Sequence, residues 1–342
     1  MAESTIAILL VWVIVFVYSI LGSVDFGAGF WGMLFGNREG SNAGALANRF
    51  LSPTWEVTNT FLVMVVIALV GFFPTAIAML GTALLVPVSL VLLLLLIRST
   101  FMVYAYSSRK YGKELNIVSG VTGLLIPGLL LSILPISLGG FIDINPEGVP
   151  ELHFGRLLGS VTLWAHLGFG LTTELFLASL FLSDYSSESG DRSAYLLYRK
   201  AALWLGPFTL FFAVITTFTF VPEAQWIRDG IEENFLWFIF SVLAFIFGYS
   251  ALLWRQGDGT PGVPRVAFTA IIIQYAFASI GYGLSHMPFI IQPYLTVEEG
   301  FTDPATFRAL LIAYIVGLLI LGPAFYLFWK LFLKDKRYLR QE

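Results

Sequence analysis

The chain is 342 residues long, 57% hydrophobic and only 12% charged, with a formal net charge of -3. Apolar runs of more than about 18 residues recur along its length, which marks a polytopic membrane protein and leaves no polar stretch long enough for a soluble domain. The absence of cysteine excludes disulfides, iron–sulfur clusters and thiolate metal sites, and the histidines, His153, His166 and His286, keep any haem or metal site poor in ligands.

Nine spans follow in chain order from the apolar runs and their polar breaks: about 5–35, 56–73, 75–107, 117–140, 157–182, 201–221, 234–254, 265–290 and 305–333. The first is expected to be a retained span, because no Lys or Arg precedes it and it continues through Asp25 to Phe35. Pro87, Pro127, Pro135, Pro207 and Pro323 fall inside spans, where each frees a carbonyl and allows a kink. Gly257 to Pro264 reads as a turn between spans seven and eight. Trp12, Trp31, Trp55, Trp226, Trp237, Trp254 and Trp329 fall near span ends, with Trp164 and Trp204 close to a boundary, as an aromatic belt requires.

Alternate loops differ in charge. One side carries Arg38 and Arg49, then Arg109, Lys110 and Lys113, then Arg192, Arg199 and Lys200, then Arg255 and Arg265, and finally Lys330, Lys334, Lys336, Arg337 and Arg340. The other carries Arg156, Arg228 and Arg308 and is acidic through Asp143, Glu147, Glu151, Glu223, Asp229, Glu232, Glu233, Glu298, Glu299 and Asp303. Fifteen basic residues against three place the N-terminus outside and the C-terminus in the cytoplasm.

Gly22-Ser23-Val24-Asp25-Phe26 in span one and Gly170-Leu171-Thr172-Thr173-Glu174-Leu175-Phe176 in span five each set an acid after a glycine and before a phenylalanine. Both spans run inward, so the echo suggests a parallel repeat: spans one to four over about 5–140, spans five to eight over about 157–290, and an extra helix at about 305–333. The expected fold is all-α, one transmembrane unit over 1–342, with nine helices arranged as two four-helix bundles and one peripheral helix.

An acid at bilayer depth costs several kcal/mol, which makes it a functional candidate. Asp25 lies ~20 residues into a helix entered from outside, toward the cytoplasmic third of the bilayer. Glu56 opens span two from the cytoplasmic face and is the shallower of the two. A shallow acid leading to a deeper one suits a proton entry path. The competing view makes Asp25 a hydrogen-bonded packing residue and Glu56 a helix N-terminal acid. Thr58 and Asn59 can orient Glu56 or a chain of waters. Glu174 lies at similar depth in span five. His166, on the same span, is open to three readings: haem ligand, proton carrier or satisfied core residue. His286, at the outer end of span eight, reads as interfacial packing, and His153 as a solvated loop residue. Arg98 either snorkels or acts as counter-ion to a buried acid or to a propionate on a partner's cofactor. With no Gly-rich phosphate loop, Ser/His/Asp set, HExxH motif or nucleic-acid signature in the sequence, no catalytic residue or metal set is expected on this chain.

Asp25-Phe26-Gly27-Ala28-Gly29-Phe30, followed by Pro53-Thr54-Trp55-Glu56-Val57-Thr58-Asn59, resembles subunit II of the cytochrome bd-type quinol oxidases. That family shows a GFDxGxG stretch late in its first helix and a P-x-W-[D/E]-x-x-N-like stretch opening its second. The nine-span layout, the Phe73-Pro74 step, Arg98 and Met287-Pro288-Phe289 fit the same family. Its members often carry a second acid just ahead of Asp25, where this chain has Leu21, Gly22 and Ser23, so Ser23 becomes the candidate to carry a water chain there. The resemblance implies the haem-free second subunit of a complex that reduces O2 to water with electrons from a membrane quinol and protons from the cytoplasm. It also implies haem b and haem d on a partner subunit I, related to this chain by a pseudo-two-fold axis, and a very small third subunit. The location implied is a bacterial or archaeal cytoplasmic membrane. No cofactor is expected on this chain, His166 and His286 being the candidates if one were held, and lipids, not nucleic acid, are the further partners. Three rivals stand beside this assignment: a secondary transporter coupling ions through the same acids, a b-type cytochrome with haem between His166 and His286, and a scaffold whose acids only pack.

Overall fold

The computed structural model describes residues 2–36, 40–107, 112–220, 224–257 and 259–334. Of the charged residues tallied above, Arg38, Arg109, Lys110, Glu223, Lys336, Arg337 and Arg340 lie outside the described residues, as does Asp258 of the turn. Among the described residues, eight helices are long and apolar enough to cross a bilayer, and a bent pair supplies a ninth.

The first half contains α1 (Glu3–Phe35), α2 (Ala43–Phe72), α3 (Pro74–Ala83), α4 (Leu85–Ser107), α5 (Gly112–Leu131) and α6 (Ile133–Ser137). A hairpin of β1 (Ile142–Ile144) and β2 (Pro150–Leu152), then α7 (Phe154–Gly159), lead to α8 (Val161–Glu188), α9 (Arg192–Phe218), α10 (Gln225–Glu233), α11 (Phe235–Ala251) and α12 (Pro264–His286). A second hairpin, β3 (Phe289–Ile291) with β4 (Leu295–Thr296), and α13 (Val297–Gly300) precede α14 (Pro304–Trp329), which runs into a π turn at Lys330–Lys334.

Proline chemistry explains where the expected spans divide. Pro87 and Pro135 lack the N–H that would bond the carbonyls of Ala83 and Leu131, and spans three and four break there into α3/α4 and α5/α6. Pro127, Pro207 and Pro323 are carried inside continuous helices. The seventh expected span corresponds to α11, and α10, which carries the outer-loop residues Arg228, Asp229, Glu232 and Glu233, meets it at 75°.

Several helices run beyond their apolar stretches. α2 begins at Ala43, not near 56, and α9 at Arg192, not near 201. The added turns face protein: Ala43, Leu46, Ala47 and Phe50 pack with Trp31, Phe35, Tyr185 and Tyr198. Hydropathy registers lipid contact and so misses them. Two tryptophans expected in the aromatic belt turn inward for the same reason. Trp12 Nε1 donates to Ser279 Oγ at 2.9 Å, and Trp31 Nε1 donates to the Leu175 carbonyl at 3.2 Å.

α1 is the central element and packs against α2, α5 and α8. A Cβ at Gly27 would lie 2.5 Å from Ala178 Cβ and 3.1 Å from the Glu174 carbonyl oxygen, so α1 and α8 meet at a distance only glycine allows. α14 lies at the edge, its Phe307 and Phe325 rings against Phe72 and Phe61 and its Tyr314 hydroxyl donating to the Met64 carbonyl at 2.9 Å. In the first hairpin, Asp143 accepts hydrogen bonds from Arg156 and from His153 Nε2. The Arg156 bond holds the Asp143 carboxyl below its ordinary range. Its stabilisation is therefore present above about pH 4 and fades only as pH falls through that lowered value.

Gly27→Val should destabilise the purified protein by about 1–3 kcal/mol through overpacking against α8. Gly81→Ala, whose added Cβ meets nothing within 4 Å, should not lower the thermal midpoint. A fluorescence melt in detergent compares the two.

Candidate functional site

In the middle of the first half, Arg98 Nη2 lies 3.4 Å from Asp25 Oδ2, with Asp25 2% and Arg98 3% exposed. A guanidinium inside a membrane bundle has to satisfy its planar set of donors. Arg98 extends from α4 across to α5, where Nη1 donates to the Ser119 carbonyl at 2.7 Å and to Thr122 Oγ1 at 3.3 Å. Nη2 also donates to the Asp25 carbonyl at 3.4 Å, and the guanidinium carbon lies 4.9 Å from the centre of the Phe26 ring. From α2, Thr54 Oγ1 donates to Asp25 Oδ1 at 3.2 Å. Gly29 makes room for this arrangement: a Cβ there would lie 2.6 Å from Ser119 Oγ and 3.1 Å from Arg98 Nη1. Four helices, α1, α2, α4 and α5, thus converge on one ion pair.

The candidate residues from the sequence divide into groups. Thr58, 3% exposed, stands one turn from Thr54 and donates to its carbonyl at 3.3 Å. Ser23 is half-buried. Glu56 is two positions from both threonines, hence on the opposite side of α2, and it is exposed. With Trp55, Asn59, Thr60 and Val63 it lines a shallow groove. Asp25 and Glu56 are therefore not brought together. Glu174 is 1% exposed and lies within electrostatic reach of Arg98.

Two of the histidines, His166 and His286, are placed among rings. His166 Nδ1 lies 2.7 Å from the Thr162 carbonyl of its own helix, and its ring packs against Phe220. That contact requires the proton on Nδ1, which donates to the carbonyl. His286 packs against Trp226 and Tyr282. Among the described residues, no group of three or more His, Asp or Glu is placed to hold a metal ion.

Sequence reasoning missed Thr54, Tyr18, Ser119 and Thr122. Thr54 carries a signal in its four-residue spacing from Thr58, and Tyr18 in its two-turn spacing from Asp25. Ser119 and Thr122 carry none, since only the packing of α4 on α5 brings them to Arg98.

Arg98→Met leaves Asp25 buried without a counter-charge, a loss of about 3–5 kcal/mol, and should abolish accumulation of folded protein in the membrane. Arg98→Met with Asp25→Asn removes both charges and should recover most of it. The yield of monodisperse detergent-extracted protein measures the difference.

Residues 3–332 match the family model for cytochrome bd terminal oxidase subunit II. A protein of Bacillus subtilis (strain 168), provisionally described as a cytochrome bd menaquinol oxidase subunit II, is 46% identical over 342 residues, 99% of this chain and 98% of its own length. A chain in the solved structure of the bd oxidase from Geobacillus thermodenitrificans matches with a TM-score of 0.82 and 35% identity, over 98% of this chain and 100% of that one. Sequence and fold agree from end to end on a multi-pass membrane subunit of a quinol oxidase, and the chain belongs to the cytochrome bd terminal oxidase subunit II family.

Proposed function

We propose that this chain is the haem-free second subunit of a quinol:O2 oxidoreductase, seated against a haem-bearing subunit I and conducting cytoplasmic protons toward its haems. The observation that carries this reading is the position of Glu56, an exposed carboxylate on a membrane helix whose next turns expose Val63, Val66, Ile67 and Val70. An acid facing lipid is costly, whereas an acid on a face covered by a partner sits at a seam where protons can enter. Asn59 and Thr60 extend the polar groove beside it. Asp25 is a second, inner station, with Thr54 and Thr58 along the inner side of α2 and Ser23 nearby. The two acids act as separate stations because α2 stands between them.

Haem b and haem d belong, in this reading, to subunit I, and quinol is the substrate of the whole complex. Subunit I is a pseudo-symmetric partner, and a very small third subunit and membrane lipids complete the assembly. The Lys and Arg bias supports an outside N-terminus and a cytoplasmic C-terminus in a bacterial or archaeal cytoplasmic membrane. Recurrent helix neighbours support two four-helix bundles related by a parallel repeat: α1 on α2, α4 on α5 and α1 on α5 correspond to α8 on α9, α11 on α12 and α8 on α12. α14 is then the peripheral helix.

One observation favours a purely structural role for Asp25: its carboxylate oxygens are already engaged by Thr54 and Arg98. Kinetics separate the two. In the assembled oxidase, Glu56→Gln and Asp25→Asn should each slow O2 reduction per haem on the order of tenfold or more, measured with an oxygen electrode. Wild-type turnover in both variants rejects the conduit and leaves the scaffold.

A further inference from the structure

Glu174 is 1% exposed, and among the described residues neither Oε1 nor Oε2 has a hydrogen-bond partner. Its helix is pinned to α1 at Gly27, where a Cβ would lie 3.1 Å from the carbonyl oxygen of Glu174 itself. From there the carboxyl group interacts electrostatically with Arg98 of α4 and with Tyr18 of α1, whose hydroxyl is also buried and unpartnered. Tyr18 stands two turns before Asp25 on α1, and Arg98 and the Glu174 backbone approach the same helix at Gly29 and Gly27, so the four groups lie around one stretch of α1. The other helices packed on α8 bring little charge to this depth. Lys113 and Glu114 open α5, and the basic residues of α9 fill its first turns. Arg265 and His286 mark the two ends of α12, Tyr275 from that helix bonds Thr173, and Glu56 of α2 faces away.

One guanidinium neutralises one carboxylate. Arg98 is already paired with Asp25, so an ionised Glu174, with no donor on either oxygen, would leave a net negative charge in the bilayer interior. We propose that Asp25 and Glu174 share the single positive charge of Arg98, so that Glu174 is a neutral carboxylic acid while Asp25 is ionised and becomes the carboxylate when Asp25 is protonated. The exchange is balanced: Asp25 gains one proton as Glu174 releases one, and the buried charge does not change. Glu174 thereby becomes the station after Asp25, a role that rests on the proton-conducting reading, whereas the shared charge does not.

Infrared spectroscopy of the assembled oxidase tests this. Wild type minus Glu174→Gln should contain the carbonyl stretch of a protonated carboxylic acid. Asp25→Asn minus Asp25→Asn/Glu174→Gln should contain the carboxylate bands in its place. Carboxylate bands in the first subtraction, or an acid band persisting in the second, overturn the proposal. So does loss of assembly in Glu174→Gln alone, since glutamine copies the neutral acid. If only the double variant fails to assemble, adding Arg98→Gln should restore it, and a failure to restore counts against the shared charge. None of these signals depends on turnover, so a normal rate of O2 reduction in Asp25→Asn would end the conduit reading without touching this one.

Discussion

A guanidinium can lie inside a membrane-spanning bundle only when acceptors surround it, and Arg98 is where this chain meets that requirement. Taking such an ion out of water costs several kcal/mol even after relaxation, and a single carboxylate does not offset it. The carbonyls of Ser119 and Asp25 and the hydroxyl of Thr122 accept further hydrogen bonds from Nη1 and Nη2. Those acceptors belong to α1 and α5 and the donor to α4, so one hydrogen-bonded group fixes the register of three helices. Thr54 adds α2 through the far oxygen of Asp25. Between helices in lipid there is no hydrophobic driving force to do this, which gives polar contacts and small residues such as Gly29 their weight.

The same geometry divides α2 into two faces. At about 100° per residue, Thr54 and Thr58 fall on the side that meets α1, and Glu56 falls on the other. A helix that supports the internal ion pair therefore also presents a carboxylate outward. Beyond Glu56 the outward face is apolar through Val63, Val66, Ile67 and Val70. α14 crosses this region by way of Tyr314 and Phe325 without covering Glu56.

Polar contacts also close the two ends of the bundle, where water competes and backbone groups need partners. On one side, Tyr198 donates to the Ala43 carbonyl at 2.7 Å, Arg199 Nε to the Leu252 carbonyl at 2.8 Å, and Arg265 Nη2 bridges Asp184 at 3.1 Å and Glu188 at 2.8 Å. Gly262, at φ +92°, lets the turn before α12 fold beneath the Tyr195 hydroxyl, which donates to its carbonyl at 3.1 Å. On the opposite side, the two hairpins are joined by the Tyr294 hydroxyl, which donates to the Ile142 carbonyl at 2.9 Å. The ends are thus tied by loops and aromatic hydroxyls, and the interior by one ion pair.

Hydropathy and charge bias by themselves determined that the chain is a multi-span helical membrane protein, and the stretches around Asp25 and Glu56 determined its family, because both signals are local. Proline positions marked the breaks in spans three and four, though not which prolines would stay inside continuous helices. Only the tertiary structure decided that Asp25 takes as partners Thr54, 29 positions away, and Arg98, 73 positions away. It also decided that Glu56 faces outward, that Glu174 is left without a donor among the described residues, and that α2 and α9 begin turns before their apolar runs. The reason is physical. Helical periodicity sets which residues share a face within one element, whereas which face meets which neighbour depends on packing and on the satisfaction of buried polar groups across the whole bundle.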